Sequence, residues 1–315
     1  MILSLFDTHC DTAFELYHRE QHLDVNDGCH VSLEKAACYE SYAQYYAIWS
    51  NRRMDDESCW TDFLKIANNF KAELARIPDK AVQVTSASEL ENAIQSKKHA
   101  AILAVEDARL TAGKLERLEE MKLLGVKYLT LLWGGDTCIG GSHNTTNGLT
   151  EYGKALARRS FELGLIPDVS HASEQSVDDL LPIAYECNKP FIATHSNAYT
   201  VYGHTRNLRD RHFAAIKELG GIVGVSLCPS HLTDDSLRPA TAEDVFAHVD
   251  YYLSLGGENI LGFGADWDGT NLPSGFNHVG DLTQVAEIMA RHNYSDTLIH
   301  KLFWDNFYHF AMKNL

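Results

Sequence analysis

Several features are missing from this sequence, and each absence excludes a class of protein. No uninterrupted apolar run reaches about 18 residues, so a membrane-spanning helix is not expected. No basic segment followed by an apolar stretch precedes Asp7, so we expect no secretory signal peptide. The 315 residues would suit one large barrel or two ordinary domains. No proline- or serine-rich linker and no solenoid-length repeat divides them, which favours a single domain over residues 1–315.

Basic residues and paired cysteines are also scarce. The chain has 27 Lys and Arg residues against 43 Asp and Glu residues, which gives a formal net charge of −16. Such a surface repels nucleic acid and anionic lipid, so we expect neither nucleic acid nor a membrane as a partner. The seven cysteines are scattered and form no C-x-x-C pair, which is typical of free thiols in a reducing compartment. We therefore expect a cytoplasmic protein.

What the chain does contain is a regular alternation of short apolar runs and longer segments with apolar residues at helical spacing. The predicted strands are Ile2–Phe6, Tyr45–Trp49, Ala100–Val105, Lys127–Leu132, Leu165–Asp168, Phe191–Thr194, Ile222–Ser226 and Ile260–Gly264. The predicted helices are Phe63–Arg76, Leu115–Leu124, Tyr152–Leu163, Glu174–Cys187, Asp210–Leu219, Ala242–Leu255 and Leu282–Arg291. Residues 13–84 are the least regular part. Eight strands, most of them followed by a helix, predict an α/β fold of the (β/α)₈ TIM-barrel type.

Residues that can bind a metal ion follow several of these strands. They are His9 and Asp11, Glu106, His171, His195, and the pair Asp266 and Asp268. In a barrel the carboxyl ends of all strands meet at one rim, so these side chains should lie close together. Imidazole nitrogen and carboxylate oxygen without thiolate suit Zn²⁺ in a catalytic site, and a glutamate such as Glu106 has two oxygens with which to bridge two ions. Each residue alone has a simpler reading, as a hydrogen-bonded side chain or a helix cap. Their recurrence at several strand ends favours a metal site.

Around these residues the sequence resembles the membrane (renal-type) dipeptidase family of metallopeptidases, in the manner of its soluble bacterial members. The similarity runs from Asp7 to about Asn306, and residues 13–84 match only loosely. It rests on the stretches Asp7-Thr-His-Cys-Asp-Thr, Gly125-Val-Lys-Tyr-Leu-Thr-Leu, Gly148-Leu-Thr-Glu-Tyr-Gly, Asp168-Val-Ser-His-Ala-Ser, Thr194-His-Ser-Asn-Ala-Tyr, Arg206-Asn-Leu-Arg-Asp and Gly262-Phe-Gly-Ala-Asp-Trp-Asp-Gly. Together their order and spacing identify the family.

The resemblance implies a metal-dependent hydrolase barrel that binds two Zn²⁺ ions per chain and cuts the peptide bond of free dipeptides with a bridging hydroxide. In that assignment His9 and Asp11 hold one zinc ion, His171 and His195 hold the other, and Glu106 bridges them. A D-residue at the C-terminal position of the substrate would be tolerated, and some family members open β-lactam rings.

Two further roles follow from the resemblance. Asp266 falls on the family's acidic residue near the bridging water, which implies a general acid and base. Arg206 falls on its substrate-binding arginine, whose planar guanidinium suits either the dipeptide carboxylate or the oxyanion of the tetrahedral intermediate.

The sequence departs from the family pattern at two places. Where the family has a histidine that steadies the tetrahedral intermediate, this chain has Trp133, which can donate an indole N–H but cannot carry a proton or a charge. Trp133 would therefore contact the substrate or serve only as a packing residue, and His143 in the following loop is a candidate for the missing role. The family's Glu-Gly-Gly is replaced by Glu106-Asp107-Ala108.

Two other functions stay open at this stage. The same two-metal barrel could hydrolyse a different amide, a lactone or a phosphoester, because barrel chemistry is set by the loops. A non-catalytic zinc-binding or scaffold protein is the third reading, and the complete set of ligands argues against it. For quaternary structure the sequence allows a homodimer but gives no evidence for one.

Overall fold

A curled parallel sheet lies at the centre of the structure, which is a computed structural model describing residues 2–235 and 237–315. Its strands are β1 (Leu5–Cys10), β2 (Tyr42–Trp49), β3 (Ala81–Gln83), β4 (His99–Glu106), β5 (Val126–Thr130), β6 (Ile166–Asp168), β7 (Val223–Val225) and β8 (Leu261–Phe263). The order around the sheet is β6-β5-β4-β2-β1-β8-β7. The short strand β3 pairs with the first residues of β4, whereas β5 pairs with its second half.

The sheet closes through a segment that is not a regular strand. Asp168 in β6 forms a parallel bridge with Ile192, and Ala193 forms one with Val223 in β7. The segment 192–193 therefore occupies the barrel position between β6 and β7, and the predicted (β/α)₈ fold class is confirmed. The expected strand Phe191–Thr194 is reduced to these bridges. At Thr194 both backbone groups bond to side chains instead of a neighbouring strand, the N–H to Asp168 (2.9 Å) and the carbonyl to the Thr8 hydroxyl (2.7 Å). Strand β3 was not predicted from the sequence.

Helices surround the sheet. They are α1 (Thr12–His18), α2 (Asp56–Arg76), α3 (Ala87–Gln95), α4 (Arg117–Leu124), α5 (Glu151–Leu163), α6 (Glu174–Cys187), α7 (Asp210–Glu218), α8 (Pro229–Leu232), α9 (Ala242–Ser254), α10 (Thr283–Arg291), α11 (Asp296–His300) and α12 (Asn306–Asn314). Short 3₁₀ turns lie at Ala108–Thr111 and Val279–Leu282, and a π turn at Lys301–Asp305 joins α11 to α12. The predicted helices all form, most with shifts of one or two residues at their ends, but α2 begins at Asp56 rather than at Phe63. Helices α1, α3, α8, α11 and α12 were not predicted. In the described part of the chain, no helix has the length and apolar character that crossing a lipid bilayer requires.

All residues of strand β4 are buried, and their side chains alternate between the two faces of the sheet. Ala100, Ile102 and Ala104 pack in one apolar cluster with Tyr128, whereas the alternate residues of β4 belong to the larger cluster under the helices. Successive side chains of a strand point to opposite faces, so Glu106 continues the row of Ala100, Ile102 and Ala104. The carboxylate therefore stands at the end of the barrel interior.

Candidate metal centre and active site

The predicted metal ligands converge at the carboxyl ends of the strands. Ligand atoms lie within 4.8 Å of one another in three overlapping groups, which are His9 with Asp11 and Glu106, Glu106 with His171 and His195, and His9 with His195 and Asp266. The structure thus brings together residues from five separate strand ends, as the barrel rule requires.

Glu106 is the residue that the first two groups share. Its Oε1 atom lies 3.7 Å from Nε2 of His9, 3.0 Å from Nε2 of His171 and 3.3 Å from Nε2 of His195. The side chain is buried, and no other carboxylate in the described chain approaches three imidazoles in this way. This is the position that a residue bridging two ions needs.

In each of these histidines Nε2 faces Glu106, and the opposite ring nitrogen, Nδ1, forms a hydrogen bond. His171 Nδ1 lies 3.0 Å from the carbonyl oxygen of Trp133, which can only accept, so Nδ1 carries the proton. His9 Nδ1 lies 2.8 Å from the hydroxyl of Tyr128, which itself donates to the carbonyl of Thr8 (3.0 Å). Since that hydroxyl proton is used, Tyr128 accepts from His9. In both residues Nε2 is left as a lone-pair donor to a metal ion.

A hydrogen bond to Nδ1 also orients the ring of His195. The Thr194 hydroxyl donates to Asp168 (2.6 Å) and accepts from Nδ1 of His195 (2.8 Å). With both Nδ1 atoms protonated, the Nε2 atoms of His171 and His195 face each other with lone pairs at 2.9 Å. Two lone pairs at that distance repel, and a shared cation or proton removes the repulsion.

The charges of the cluster also favour cations. Burial, strengthened by the Arg206 charge, holds the pKa of His171 well below its usual value, and burial does the same for His195. Both rings are therefore in the neutral form that coordinates metal. Burial opposes protonation of His9, yet the nearby carboxylates, chiefly Glu106, raise its pKa to about 10. Without a cation, Nε2 of His9 therefore holds a proton that a metal ion would displace. Burial raises the pKa of Asp266 to about 7. These shifts reflect a surplus of buried carboxylates that divalent ions would offset. The residues present fit a centre of divalent metal ions.

Backbone geometry at the strand ends places two of these side chains. His171 has a φ of 72° and Asp266 a φ of 65°, in the left-handed region where non-glycine residues are uncommon. Such residues cost about 1–3 kcal/mol each and cluster at functional sites. Gly269 makes room for the carboxylates of Asp11 and Asp266, because a Cβ atom at this position would collide with both.

Asp7 organises the site although it was not among the predicted site residues. Its fully buried carboxylate accepts hydrogen bonds from the backbone N–H of His9 (2.9 Å) and Ala265 (3.1 Å), from Gln44 (3.0 Å) and from the indole of Trp267 (3.2 Å). It thereby ties β1 to β2 and to the chain after β8. The D-x-H spacing was the available signal, because residues two apart on a strand point to one face.

Asp268, which the sequence also marked as metal-capable, lies outside the ligand groups of the described chain. Its carboxylate accepts hydrogen bonds from the Thr12 hydroxyl (2.6 Å) and from the backbone N–H of His30. It therefore holds the start of α1 against the loop that contains His30.

A cavity of about 450 Å³ opens over the cluster. Its floor includes Asp11, Glu106, His171 and Asp266, and its walls include Phe14, Glu15, Trp49, Arg52, Trp133, His143, Asn144 and His231. Sequence reasoning missed Phe14, Trp49, Arg52 and His231 as cavity residues. The one sequence feature that could have indicated them is their position, since Trp49 ends a strand and the other three lie a few residues after one.

Trp133 lies in the wall and contacts the metal centre indirectly. Its ring stacks near His171, with centroids 5.8 Å apart, and packs 5.2 Å from the ring of Trp49. It is half-buried, and its carbonyl orients His171 as described above. His143 also lines the cavity, and burial and the charge of Arg206 lower its pKa to about 4, so that its ring is neutral.

Arg206 is placed differently from the other predicted substrate residues. It is buried, with 4% of its surface exposed, and lines a small cavity with Ser196 and Thr205 rather than the large one. Nη1 donates to the Ser196 hydroxyl (3.2 Å), whereas Nε and Nη2 have no hydrogen-bond partner within the described residues. A buried guanidinium with unused donors is suited to an anionic ligand.

Comparison with known proteins agrees with this geometry. The sequence profile of the membrane dipeptidase family, peptidase family M19, matches residues 2–313. The chain belongs to this family. It is accordingly a metallo-dipeptidase by family, as the sequence motifs predicted.

Two solved structures are similar to this chain over its whole length, and a third protein is similar over part of it. A solved metallopeptidase described as dipeptidase AC has 26% identity and a TM-score of 0.92, covering 100% of this chain and 99% of its own. A metallopeptidase from Rhodobacter sphaeroides, solved with a phosphinate mimic of L-Ala-D-Ala, has 25% identity and a TM-score of 0.90 over 100% of both chains. An uncharacterized Klebsiella pneumoniae protein from the pqqA 5′ region is 29% identical over 231 residues, which is 70% of this chain and 84% of that protein.

Proposed function

We propose that this dipeptidase hydrolyses the peptide bond of free dipeptides at a centre of two Zn²⁺ ions. The observation that carries the proposal is the position of Glu106, whose Oε1 atom lies within 3.0–3.7 Å of three imidazole nitrogens that are oriented as lone-pair donors. The donor atoms of each ligand group lie within 4.8 Å of one another, close enough to bind the same cation.

The proposed ligands divide between the two ions. His9 and Asp11 would hold one zinc ion, His171 and His195 the other, and Glu106 would bind both. Nitrogen and oxygen donors without thiolate are the set expected for catalytic rather than structural zinc. When bound, the zinc pair supplies a nucleophilic water at neutral pH and a Lewis acid for the scissile carbonyl.

Asp266 is the carboxylate of the cluster that the ligand assignment leaves free, and it lines the cavity. Its Oδ1 atom lies 3.9 Å from Nε2 of His9, so it stands beside the centre of the reaction. We assign it the proton transfer, in which the carboxylate accepts a proton from the attacking water and delivers it to the leaving amine nitrogen.

The remaining residues would bind the substrate. Arg206 offers its unused Nε and Nη2 donors to the terminal carboxylate of the dipeptide. The indole N–H of Trp133 and the ring of His143 are the two candidates for contact with the carbonyl oxygen during the reaction, since both side chains line the cavity. The mimic bound by the Rhodobacter sphaeroides relative supports a D-residue at the C-terminal position of the substrate. The cytoplasmic location and a homodimeric state stay predictions.

Metal analysis and a substrate panel test the proposal together. We expect protein reconstituted with zinc to hold two ions per chain and to cleave L-Ala-L-Ala and L-Ala-D-Ala. The matched controls are a lactone and a phosphoester, which should be poor substrates. A reproducible content of zero or one ion would overturn the two-zinc centre, and faster turnover of the lactone or phosphoester would overturn the substrate assignment.

A further inference from the structure

A permanently charged side chain stands in the wall of the active-site cavity, and the family assignment gives it no role. Arg52 follows strand β2, is exposed, and lines the cavity. Of the described residues in the cavity lining, it is the only Arg or Lys. No carboxylate oxygen of the described chain lies within 4.0 Å of its guanidinium; the neighbouring Asp107 pairs with Arg109 instead.

Local packing holds this guanidinium in place. It lies 5.6 Å from the ring centroid of Trp133, within cation–π range. A Cβ atom added at Gly134 would lie 2.9 Å from Nη1 of Arg52, and one at Gly135 would lie 3.0 Å from Nη2. The group thus rests against a backbone surface that the two glycines keep open. Since an aromatic ring and backbone position it, and not a counter-ion, its charge stays available to a ligand.

The barrel order places the strand end that precedes Arg52 opposite the segment that precedes Ser196, the hydrogen-bond partner of Arg206. Arg52 follows β2, the second of the eight barrel positions in chain order, whereas Arg206 is bonded to Ser196, just after the segment that occupies the sixth. In an eight-position ring the second and sixth positions face each other across the axis. If the terminal carboxylate binds Arg206 and the peptide bond lies over the metal cluster, as the proposed function requires, the N-terminal residue would extend toward the side of the cavity that Arg52 lines.

We propose that Arg52 binds a carboxylate on the side chain of the N-terminal residue. The preferred substrates are then dipeptides that begin with Glu or Asp. This inference rests on the proposed function, because it uses Arg206 as the anchor of the terminal carboxylate. Glu15 and Asp268, also in the lining, disfavour a second anion on their side of the cavity and leave Arg52 as its binding group.

The experiment compares acidic substrates with their neutral amides, which have nearly the same shape. We would measure kcat/KM for Glu-Ala and Gln-Ala, and for Ala-Glu and Ala-Gln, with wild-type enzyme and with Arg52→Met and Arg52→Lys. A charge-assisted hydrogen bond predicts that wild type favours Glu-Ala over Gln-Ala by about 10–100-fold. Arg52→Met should bring that ratio close to one, and Arg52→Lys should retain part of it. Arg53→Met is the matched control, since Arg53 is exposed, adjacent and outside the cavity lining.

Each result decides the matter. A wild-type ratio near one, a ratio that Arg52→Met leaves unchanged, or an acid preference confined to the second residue would overturn the inference. Turnover of neutral dipeptides in those cases would leave the proposed function intact. If zinc-reconstituted wild type cleaves no dipeptide at all, the proposed function itself fails, and the role of Arg52 fails with it. An equal loss of ratio in Arg53→Met would show that the preference comes from general surface charge.

Discussion

The hydroxyl of Tyr128 lies 2.8 Å from Nδ1 of His9, across the barrel interior and 119 residues away along the chain. Both side chains are fully buried, and the same hydroxyl donates to the carbonyl of Thr8 (3.0 Å). Tyr128 therefore sets which nitrogen of His9 carries the proton. The opposite nitrogen, Nε2, has no hydrogen-bond partner within the described residues and is directed at the candidate zinc site.

Tyr128→Phe should weaken zinc binding by about 10–100-fold, because the ring of His9 loses the acceptor that fixes its orientation. The measurement is zinc affinity by competition with a chelator, independent of turnover. Tyr46→Phe is the matched control, since it removes another buried Tyr–His hydrogen bond of 2.8 Å, to His99, which is not a proposed ligand. Equal zinc affinities in the two variants would contradict the role of Tyr128.

Asp266→Asn should lower kcat by about 10²–10⁴-fold while the zinc content stays near that of wild type. The amide keeps the shape of the carboxylate but cannot accept the proton. Parallel metal analysis and steady-state kinetics make the measurement. Near-normal kcat would assign the proton transfer to another residue, and loss of a zinc ion would make Asp266 chiefly a ligand.

Arg206→Lys should lower kcat/KM by about 10–100-fold with the zinc content unchanged, because Lys keeps the charge but lacks the planar fork that binds a carboxylate. The loss should be large for a dipeptide with a free C-terminus and small for the same dipeptide with an amidated one. If both substrates lose activity equally, Arg206 does not bind the terminal carboxylate. A thermal melt of the variant checks that the buried substitution leaves the fold intact.

Trp133→Phe and Trp133→His separate the two readings of this residue. If the indole N–H contacts the substrate, Phe should lower kcat, whereas His should be tolerated because it restores a donor. Loss of one such donor costs about 10²–10³-fold in other hydrolases. The carbonyl of Trp133 still orients His171 in both variants, so zinc content should not change. A neutral Phe variant with a harmful His variant would make Trp133 a packing residue against Trp49, and His143 would be the next residue to replace.

The sequence alone predicted the architecture and the set of residues that the structure brings together at the candidate centre. Alternating apolar runs and helical segments predict the strands and helices, because the repeat of a helix or strand decides which of its side chains share the buried face. The barrel then brings its strand ends together, so residues as far apart as His9, Glu106 and His195 could be grouped before any distance was known. The hydrophobic pattern predicted secondary structure least well where contacts with distant residues determine it. The bridges at 192–193 replace a regular strand, and α12 was not expected.

The orientation of those residues and the residues that surround them depend on contacts between distant parts of the chain. The hydrogen bond between His9 and Tyr128 joins β1 to β5, and neither residue's neighbours in sequence indicate it. Asp268 is a second example. Its place after a predicted strand made it a candidate metal ligand, but its hydrogen bonds with Thr12 and His30 give it a structural role. The lining of the cavity likewise comes from loops that are distant in sequence. A sequence pattern records which residues follow each strand, whereas the direction of a side chain depends on packing against segments elsewhere in the chain.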